Sequence, residues 1–433
     1  MSFYYELALL KSPLENLTFE NDDKLELGSL VKIKLRNRKV LDNAVVIKEV
    51  PKPTFKCTKI DTLTNLFYSK EMLKTAKFIS QYYVSSLGEA LSIYNPFNNE
   101  IKKNSNEILF ESNIDLSNEQ NQAYEFCQEN LQSLLFANTG AGKTEIYIKA
   151  IEKKLNEGKE ALLLMPEISL TPQMQNRLEK VFGKSVAIWH SKITKKRKES
   201  IIEGLLKGEI KLLAGARSAL FLPYNDLGLI IVDEEHDESY KSDSKPRYNT
   251  KDLALYISKS QNIQVILGSA TPSLNSYYKI AFFRLSKTYF QTTKTISYDD
   301  GTSSLTQNII GKIAKTVNEN NQVIIFLPTR ANYKYQVCTS CGKAVDCPFC
   351  SVSMSLHKNA LALKCHYCGY TQQIPKSCPS CHTGIIHNLR VGTAQIEEEL
   401  NEIFKDKIIR RFDRDEVKTD KQLRTILDDF NKE

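Results

Sequence analysis

The 433-residue sequence lacks any apolar run that approaches the roughly 18 residues needed to span a membrane. Its N-terminus has neither a basic leading region nor a small-residue cleavage site, so we expect no signal peptide. We find no internal repeat, and no low-complexity tract beyond one polar linker. These absences predict a globular protein that is cytoplasmic by default, with room for about three domains.

Net charge and composition leave the class of partner open. Hydrophobic residues make up 41% and charged residues 25% of the chain, which is an ordinary globular balance. The net charge of +8 is compatible with a polyanionic partner. It is equally compatible with a basic protein that never contacts nucleic acid, so charge alone decides nothing.

Residues 1–98 are predicted to form a small β-rich domain. Between Leu30 and Lys39 apolar residues alternate with basic ones, which is typical of a half-buried strand. The basic face of this strand carries Lys32, Lys34, Arg36 and Arg38. These side chains are candidates for contacts with phosphate groups, and a merely solvated strand face is the alternative.

A polar segment at residues 99–115 is predicted to be a linker, after which a second domain spans residues 116–290. Ser117 and Gln120 match a capping box, which places a helix start at Ser117. Short, continuous apolar runs then alternate with helical segments, as in a parallel sheet covered on both faces. The predicted strands are Ser133–Phe136, Ala161–Met165, Val186–Trp189, Lys211–Ala214, Leu229–Val232 and Val265–Leu267.

The first of these strands leads directly into a phosphate-binding loop. The sequence from Ala137 to Thr144 matches G-x-x-x-x-G-K-[ST], except that Ala137 replaces the first glycine. Backbone N–H groups of such a loop surround the phosphates of a nucleotide, and the following helix N-terminus adds positive potential. Candidate ATP contacts are therefore Gly140, Ala141, Gly142, Lys143 and Thr144, with Thr144 also a ligand of Mg²⁺.

Two further motifs follow at the ends of later strands. Leu229–Val232 runs into the acidic residues Asp233 and Glu234, which we expect to hold Mg²⁺ and to orient the attacking water, respectively. A later strand ends in Gly268-Ser-Ala-Thr-Pro272. The carboxyl ends of strands in open α/β sheets are where ligands bind. A phosphate loop, DEEH (residues 233–236) and SAT (residues 269–271) in this order are typical of superfamily-2 helicases, which have two RecA-like lobes.

Gln120 precedes the phosphate loop by about 20 residues. A glutamine at this place commonly contacts adenine in such motors. Its capping role is the alternative, and both roles are compatible with one side chain.

Eight of the ten cysteines lie between Cys338 and Cys381, inside a second α/β unit predicted to start near residue 306. Clustered thiols in a reducing compartment are more often metal ligands than disulfides. Four C-x₂-C pairs supply the thiolates of two closed Cys₄ zinc sites, which are structural. The pairs are Cys338 with Cys341, Cys347 with Cys350, Cys365 with Cys368, and Cys378 with Cys381.

Three pairings of these four units are possible, and the spacing alone selects none. The hairpin-sized stretch 351–364 favours nesting, with the inner pairs on one zinc and the outer pairs on the other. The second lobe is predicted to begin at residues 306–337 with the strand Gln322–Leu327. It carries the zinc insertion at 338–381 and resumes at 382–433 with a strand at 407–412.

The four C-x₂-C pairs, together with the motor motifs, resemble the primosomal protein N′ (PriA) family of replication-restart helicases. Several further segments carry the resemblance over nearly the whole chain. They are Met165–Gln173, Trp189–Ser191, Gly215–Leu220, Asp233–Asp237, Gly268–Ser273, Gly392–Gln395 and Arg411–Asp415.

The resemblance implies ATP-dependent 3′-to-5′ DNA unwinding at stalled forks, followed by loading of the replicative helicase, with single-stranded DNA-binding protein as a partner. It implies an N-terminal domain that binds a 3′ strand end, and nested zinc pairing. It also implies an aromatic-rich loop that contacts DNA, whose tyrosines are candidates for stacking on bases; structural tyrosines are the alternative. The candidate DNA contacts in this loop are Tyr240, Arg247 and Tyr248, with Lys241 and Lys245 nearby.

Three departures from the family pattern stand out. Only the linker 99–115 occupies the place of the family's winged-helix domain, and the loop at Pro328–Asn332 lacks a paired arginine and glycine. The family's later motifs, including an arginine finger, would lie beyond Glu433, so the second lobe is expected to be truncated and incomplete. The alternative function is therefore a fork-binding remnant that does not hydrolyse ATP.

Overall fold

The computed structural model describes residues 2–35, 40–101, 109–166, 172–288, 293, 295–299, 305–327, 334–357, 362–365, 367–388, 393–412, 417 and 419–432. The chain divides into two compact units, Met1–Thr292 and Thr293–Glu433. No helix in the part of the chain that the structure describes is long and apolar enough to cross a membrane.

The first unit opens with a seven-stranded, mainly antiparallel sheet in the order β5-β2-β1-β4-β3-β6-β7. Its strands are β1 (Phe3–Leu9), β2 (Leu17–Asn21), β3 (Ser29–Ile33), β4 (Asp42–Val50), β5 (Thr58–Lys59), β6 (Thr62–Phe67) and β7 (Phe97–Asn98). Alternation sets the faces of β3, because Val31 and Ile33 are buried while Lys32 and Lys34 are exposed. The predicted strand therefore exists but ends at Ile33, and Arg36 and Arg38 lie outside the described residues.

Two helices, α1 (Lys70–Tyr82) and α2 (Leu87–Leu91), connect this sheet to the motor lobe. One hydrophobic cluster includes residues from both parts, so the N-terminal domain shares a core with the lobe rather than standing apart from it. Phe78 of α1 stacks on Tyr256 with ring centroids 3.8 Å apart. Tyr94 meets Phe221 edge to face at 5.0 Å, and the N–H of Asn95 donates to the carbonyl of Phe221.

Part of the predicted linker, residues 109–115, is packed against the motor lobe and does not hang free. Phe110 is buried, and its N–H and C=O both bond the Asn156 side chain at 2.9 Å. The N–H of Ser112 donates to Glu152, and Ile114 and Leu116 pack on the core. A polar composition concealed these apolar anchors.

The motor lobe is an all-parallel sheet of seven strands in the order β10-β11-β9-β12-β13-β8-β14. All six strands predicted from apolar runs are confirmed, with ends shifted by one or two residues at most. The sheet contains β8 (Gln132–Ala137), β9 (Glu160–Leu164), β10 (Val186–Trp189), β11 (Leu212–Gly215), β12 (Leu227–Asp233), β13 (Gln264–Ser269) and β14 (Phe282–Leu285). The edge strand β14 was missed because it is largely exposed and Arg284 interrupts its apolar run.

Six α-helices accompany this sheet among the residues that the structure describes. They are α3 (Asn118–Glu129), α4 (Lys143–Asn156), α5 (Pro172–Phe182), α6 (Lys195–Lys207), α7 (Thr250–Gln261) and α8 (Leu274–Lys279). The predicted capping box at the start of α3 is confirmed, because Ser117 and Gln120 each cap the other's backbone N–H.

The second unit contains α9 (Gln307–Asn318) and an antiparallel five-stranded sheet in the order β18-β17-β16-β15-β19. The strands are β15 (Lys334–Cys338), β16 (Ser355–His357), β17 (Ala362–Lys364), β18 (Thr371–Gln373) and β19 (Ile386–Asn388). Helices α10 (Thr393–Ile403) and α11 (Asp420–Lys432) follow. The cysteine block thus builds a ribbon-like sheet of its own.

The two strands predicted for the second lobe, Gln322–Leu327 and residues 407–412, are wrong for the residues that the structure describes. Neither segment is a strand there. Val323, Leu327 and Ile409 pack on a cluster that includes α9 and α10, whereas Phe326 is 84% exposed. The other residues of both segments are exposed except Arg411, and the described residues give these segments no neighbour with which to form ladder hydrogen bonds.

The shared core of the first unit predicts a large effect of one buried ring. Phe221 is 1% exposed, and its ring lies edge to face against Tyr94 and against Tyr248 at 4.8 Å. Phe221→Ala is expected to destabilise the unit by about 3–5 kcal/mol because it leaves a cavity between these rings. Phe55→Ala is the control, since Phe55 is 60% exposed. Thermal unfolding followed by circular dichroism tests this, and equal midpoints for both variants would contradict a shared core.

Candidate ATP site and zinc centres

Strand order brings the three motor motifs to one edge of the parallel sheet. β13 pairs with β12 on one side and with β8 on the other, so the carboxyl ends of these three strands are neighbours. β8 leads into the phosphate loop, β12 ends at Asp233, and β13 ends at Ser269. The loop, DEEH and SAT therefore meet where an open α/β sheet binds ligands.

Two glycines set the shape of the phosphate loop. Gly140 and Gly142 have φ angles of 79° and 85°, a left-handed region that glycine adopts without steric cost. A Cβ on Gly142 would also lie 2.1 Å from the amide nitrogen of Gln120. Ala141 between them is buried, and Lys143 begins α4 directly afterwards. The loop thus presents backbone N–H groups at a helix N-terminus, as phosphate binding requires.

Gln120 serves the loop and the helix cap with one side chain. Its Oε1 accepts from the N–H of Ser117 at 2.8 Å, which is the capping role. Its Nε2 lies 3.4 Å from the carbonyl oxygens of Ala141 and Gly142. The side chain is therefore at the phosphate loop, although contact with adenine stays a prediction.

Lys143 faces both acidic residues of the second motif. Its Nζ lies 3.0 Å from Oε1 of Glu234 and 4.0 Å from Oδ1 of Asp233. Burial raises the pKa of Asp233, and the Lys143 ammonium opposes that rise. Thr144 is the next residue of α4. These groups suit a nucleotide with Mg²⁺, because the lysine attracts phosphate and the carboxylate and hydroxyl oxygens are ligands that Mg²⁺ prefers.

DEEH and SAT are joined by side-chain hydrogen bonds. Nδ1 of His236 lies 2.8 Å from Oγ of Ser269, and Nε2 lies 3.4 Å from Oγ1 of Thr271. Glu234 itself has a φ of 47°, an uncommon backbone angle for a residue with a side chain. The turn after β12 is thus fixed against the end of β13 and holds Glu234 at the sheet edge.

A buried ion pair that the sequence did not reveal strengthens the same connection. Oε2 of Glu235 lies 2.9 Å from Nζ of Lys251, and both side chains are almost fully buried. Ser273 donates to Glu235 through its N–H at 2.6 Å, and the Ser276 hydroxyl donates at 2.7 Å. Burial raises the pKa of Glu235, but the N–H of Ser273 and the Lys251 ammonium together hold that pKa below its usual value. These contacts fix the turn to the starts of α7 and α8.

The predicted stacking of Tyr240 and Tyr248 on DNA bases is corrected by their burial, at 1% and 6% exposure. The Tyr240 hydroxyl donates to the backbone carbonyl of Asp233 at 2.6 Å. Tyr248 packs against Phe221. Tyrosines inside the core cannot stack on a base without leaving it, so they anchor the loop.

The cations of this loop lie at the surface, where the ammonium of Lys241 also donates to the carbonyl of Arg247 and lies 5.0 Å from the centre of the Tyr83 ring. Lys241, Lys245 and Arg247 are exposed. Arg217, which the sequence analysis gave no role, donates to the carbonyls of Ser239 and Lys241 at 3.0 and 2.6 Å and pins the loop. The loop therefore presents charge to solvent.

The cysteines assemble into two groups of four in the nested arrangement that the hairpin spacing favoured. Cys338, Cys341, Cys378 and Cys381 form one group, and Cys347, Cys350, Cys365 and Cys368 form the other, with sulfurs within 4.8 Å of one another. Sulfurs across each group lie 3.6 Å apart, as between Cys338 and Cys381 or between Cys347 and Cys368. A tetrahedral zinc with Zn–S bonds of about 2.3 Å requires about 3.8 Å between sulfurs, so both groups fit zinc.

Backbone N–H groups support the sulfurs as thiolates. The N–H of Cys368 lowers the pKa of Cys365 to about 7, and the N–H of Thr383 lowers the pKa of Cys381 to about 6. The neighbouring Cys368 thiol instead raises the pKa of Cys350 to about 12. Each group thus has some thiols ready to ionise, and a dication is needed to hold all four as thiolates.

Comparison with known families agrees with each part of this architecture. Residues 117–280 match the DEAD/DEAH box helicase family, and residues 11–96 match the 3′ DNA-binding domain (3′BD). Residues 347–373 match the PriA DNA helicase Cys-rich region (CRR) domain. The chain is 45% identical over 432 residues to the replication restart protein PriA of Helicobacter pylori, covering 99% of this chain and 69% of that protein. The chain belongs to the PriA family.

A second PriA relative, from Rickettsia conorii, is 34% identical over 441 residues and aligns with 96% of this chain and 67% of its own length. Among solved structures, RecG bound to a three-way DNA junction is 17% identical, with a TM-score of 0.33 over 57% of this chain and 32% of that one. Membership of the PriA family makes the chain an ATP-dependent DNA helicase of replication restart that binds DNA. Its cofactors are ATP with Mg²⁺ and two zinc ions.

The outer zinc site depends on a glycine that sequence reasoning missed. A Cβ on Gly384 would lie 2.1 Å from Sγ of Cys338, which a bound zinc would hold in place. Gly384→Ala is therefore expected to reduce zinc from about two to about one per chain after a mild chelator challenge. Gly311→Ala is the control, because a Cβ there meets nothing within 4 Å. Atomic emission measures the zinc, and equal retention by both variants would contradict this packing.

Proposed function

We propose that this chain unwinds DNA in the 3′-to-5′ direction at stalled or forked DNA and initiates replication restart and primosome assembly. The observation that carries this proposal is the meeting of phosphate loop, DEEH and SAT at one edge of the sheet. Support comes from the match of the same chain to a 3′ DNA-binding domain and to the PriA Cys-rich region.

ATP hydrolysis is assigned to residues of the motor lobe. Lys143 binds the β- and γ-phosphates, and in doing so it leaves the carboxylate of Glu234, which it contacts at 3.0 Å. Glu234 is then free to orient and polarise the attacking water. Thr144 and Asp233 would hold Mg²⁺, which neutralises the charge that develops on the phosphates. Gln120 would contact the adenine.

Contacts with DNA are assigned to exposed cations on two elements. Lys32 and Lys34 lie on the exposed face that begins at β3, and the N–H of Lys34 donates to Asp61 at 2.7 Å. Arg36 and Arg38 extend the same basic run in sequence. Arg247, with Lys241 and Lys245, faces solvent from the loop after DEEH. Each is proposed to contact phosphate, which supplies affinity without sequence preference.

Partners beyond DNA follow from the family alone. We assign single-stranded DNA-binding protein and the machinery that loads the replicative helicase as partners. We also place the chain in the cytoplasm, where the bacterial chromosome is replicated.

A fork-binding remnant that does not hydrolyse ATP is the less favoured function. The motor lobe retains Lys143, the acidic residues Asp233 and Glu234, and the contacts between DEEH and SAT, all of which ATP hydrolysis needs. The relatives that align with nearly the whole chain are replication restart proteins. Both points favour the working motor.

A strand-displacement assay tests the direction and the motor together. Two short duplexes are compared, one with a 3′ single-stranded tail and one with a 5′ tail, each with ATP and Mg²⁺. We expect displacement from the 3′-tailed duplex alone, and a loss of at least about 100-fold in Lys143→Ala. Lys153→Ala, an exposed lysine on the same helix, is the matched control. Preferential displacement of the 5′-tailed duplex, or an unimpaired Lys143→Ala, would overturn the proposal.

A further inference from the structure

A buried tyrosine hydroxyl contacts the carboxylate assigned to Mg²⁺. Oη of Tyr147 donates to Oδ1 of Asp233 at 3.0 Å, and the tyrosine is only 2% exposed. Tyr147 lies four residues after Lys143 on α4, so the two side chains share one face of the helix. Nζ of Lys143 approaches the same Oδ1 at 4.0 Å.

The hydroxyl of Tyr147 lies in the space that Gly268 of β13 leaves by having no side chain. A Cβ on Gly268 would lie 1.6 Å from Oη of Tyr147 and 3.4 Å from Oδ1 of Asp233. Glycine is therefore required at this position because any side chain would collide with the Tyr147 hydroxyl, and not because the backbone angle is unusual. Gly268 is paired with Asp233 in the sheet register, which explains why the missing side chain opens a space beside that carboxylate.

Asp233 is thus held at two points by hydroxyl donors. Tyr147 from α4 binds the side chain, and Tyr240 from the loop after DEEH binds the backbone carbonyl at 2.6 Å. A carboxylate has about four lone-pair positions, so one hydrogen bond leaves capacity for a metal ion. Groups that bond a metal-binding carboxylate in this way fix its orientation and tune metal affinity.

We propose that Tyr147 is a positioning residue that orients the Asp233 carboxylate for the Mg²⁺ bound with ATP, and that Gly268 makes this contact possible. The proposal rests on the assignment of Asp233 as a Mg²⁺ ligand. A simpler role for Tyr147 is packing, since its ring belongs to a hydrophobic cluster. Tyr147→Phe separates the two roles because it keeps the ring and removes the hydroxyl.

The test measures binding of a fluorescent, non-hydrolysable ATP analogue while free Mg²⁺ is titrated, so no turnover is needed. Tyr147→Phe is expected to raise the Mg²⁺ midpoint about tenfold, as loss of a supporting hydrogen bond to a metal ligand commonly does. Binding of the analogue without Mg²⁺ should not change. Packing alone would leave the midpoint unchanged, and that result would overturn the proposal.

Two further variants make the outcome specific. Gly268→Ala is expected to shift the midpoint in the same direction, and its effect should not add to that of Tyr147→Phe, because both remove one contact. Additive shifts would contradict a shared contact. Should Gly268→Ala fail to fold, Tyr147→Phe decides alone.

Asp233→Asn separates failure of this inference from failure of the assigned site. A raised midpoint in Asp233→Asn with none in Tyr147→Phe overturns only the role of Tyr147. An unchanged midpoint in Asp233→Asn overturns the Mg²⁺ assignment, and the role of Tyr147 with it. Zinc content and thermal midpoint of each variant are compared with the unsubstituted chain, so that an altered fold is not mistaken for an altered site.

Discussion

Asp233 carries a carboxylate that is largely withdrawn from solvent, and the groups around it come from helix α4 and from the loop after DEEH. Lys143 and Tyr147 approach from α4, and the Tyr240 hydroxyl binds the backbone from the loop that follows. A buried carboxylate is costly unless hydrogen bonds or opposite charges compensate it. The motifs that surround Asp233 must therefore keep their relative places, and the order of strands in the sheet ensures this.

The same constraint extends toward the N-terminal domain. The loop that anchors Tyr240 continues to Tyr248, which packs on Phe221, and Phe221 in turn meets Tyr94 from the N-terminal part of the chain. The N–H of Asn249 donates to the hydroxyl of Tyr83 at 3.2 Å. A continuous series of packed side chains thus links the 3′ DNA-binding domain to the end of β12. Packed interiors have little free volume, so a displacement at either end would shift the side chains packed against it.

Much of the architecture could be predicted from the sequence because its signals are local. Continuous apolar runs identified β8 to β13, six of the seven strands of the parallel sheet, and the spacing of C-x₂-C pairs identified eight metal ligands. The nested pairing was only favoured, since pairing depends on how β15 to β19 fold together. The SAT and DEEH motifs were located correctly by their positions at strand ends.

The remaining features depend on contacts between distant residues. The resemblance to a family with an aromatic-rich DNA-contacting loop suggested base stacking at Tyr240 and Tyr248, and only tertiary packing shows that these rings are buried. Phe110 looked like part of a linker because the segment 99–115 that contains it is rich in polar residues. Tyr147 belongs to no motif, and the motif that begins at Gly268 gave no sign of a contact between them, which appears only when α4 packs on the sheet.

The most direct measurement is ATP hydrolysis by the unsubstituted chain and by Glu234→Gln, each with and without forked DNA. It tests whether the carboxyl ends of β8, β12 and β13 form the hydrolytic centre of the motor lobe. We predict DNA-stimulated hydrolysis in the unsubstituted chain. Glu234→Gln should lose at least about 100-fold in turnover while it still binds ATP, because only the group that orients the attacking water is changed. Unimpaired, DNA-stimulated turnover in Glu234→Gln would contradict the account and place hydrolysis elsewhere.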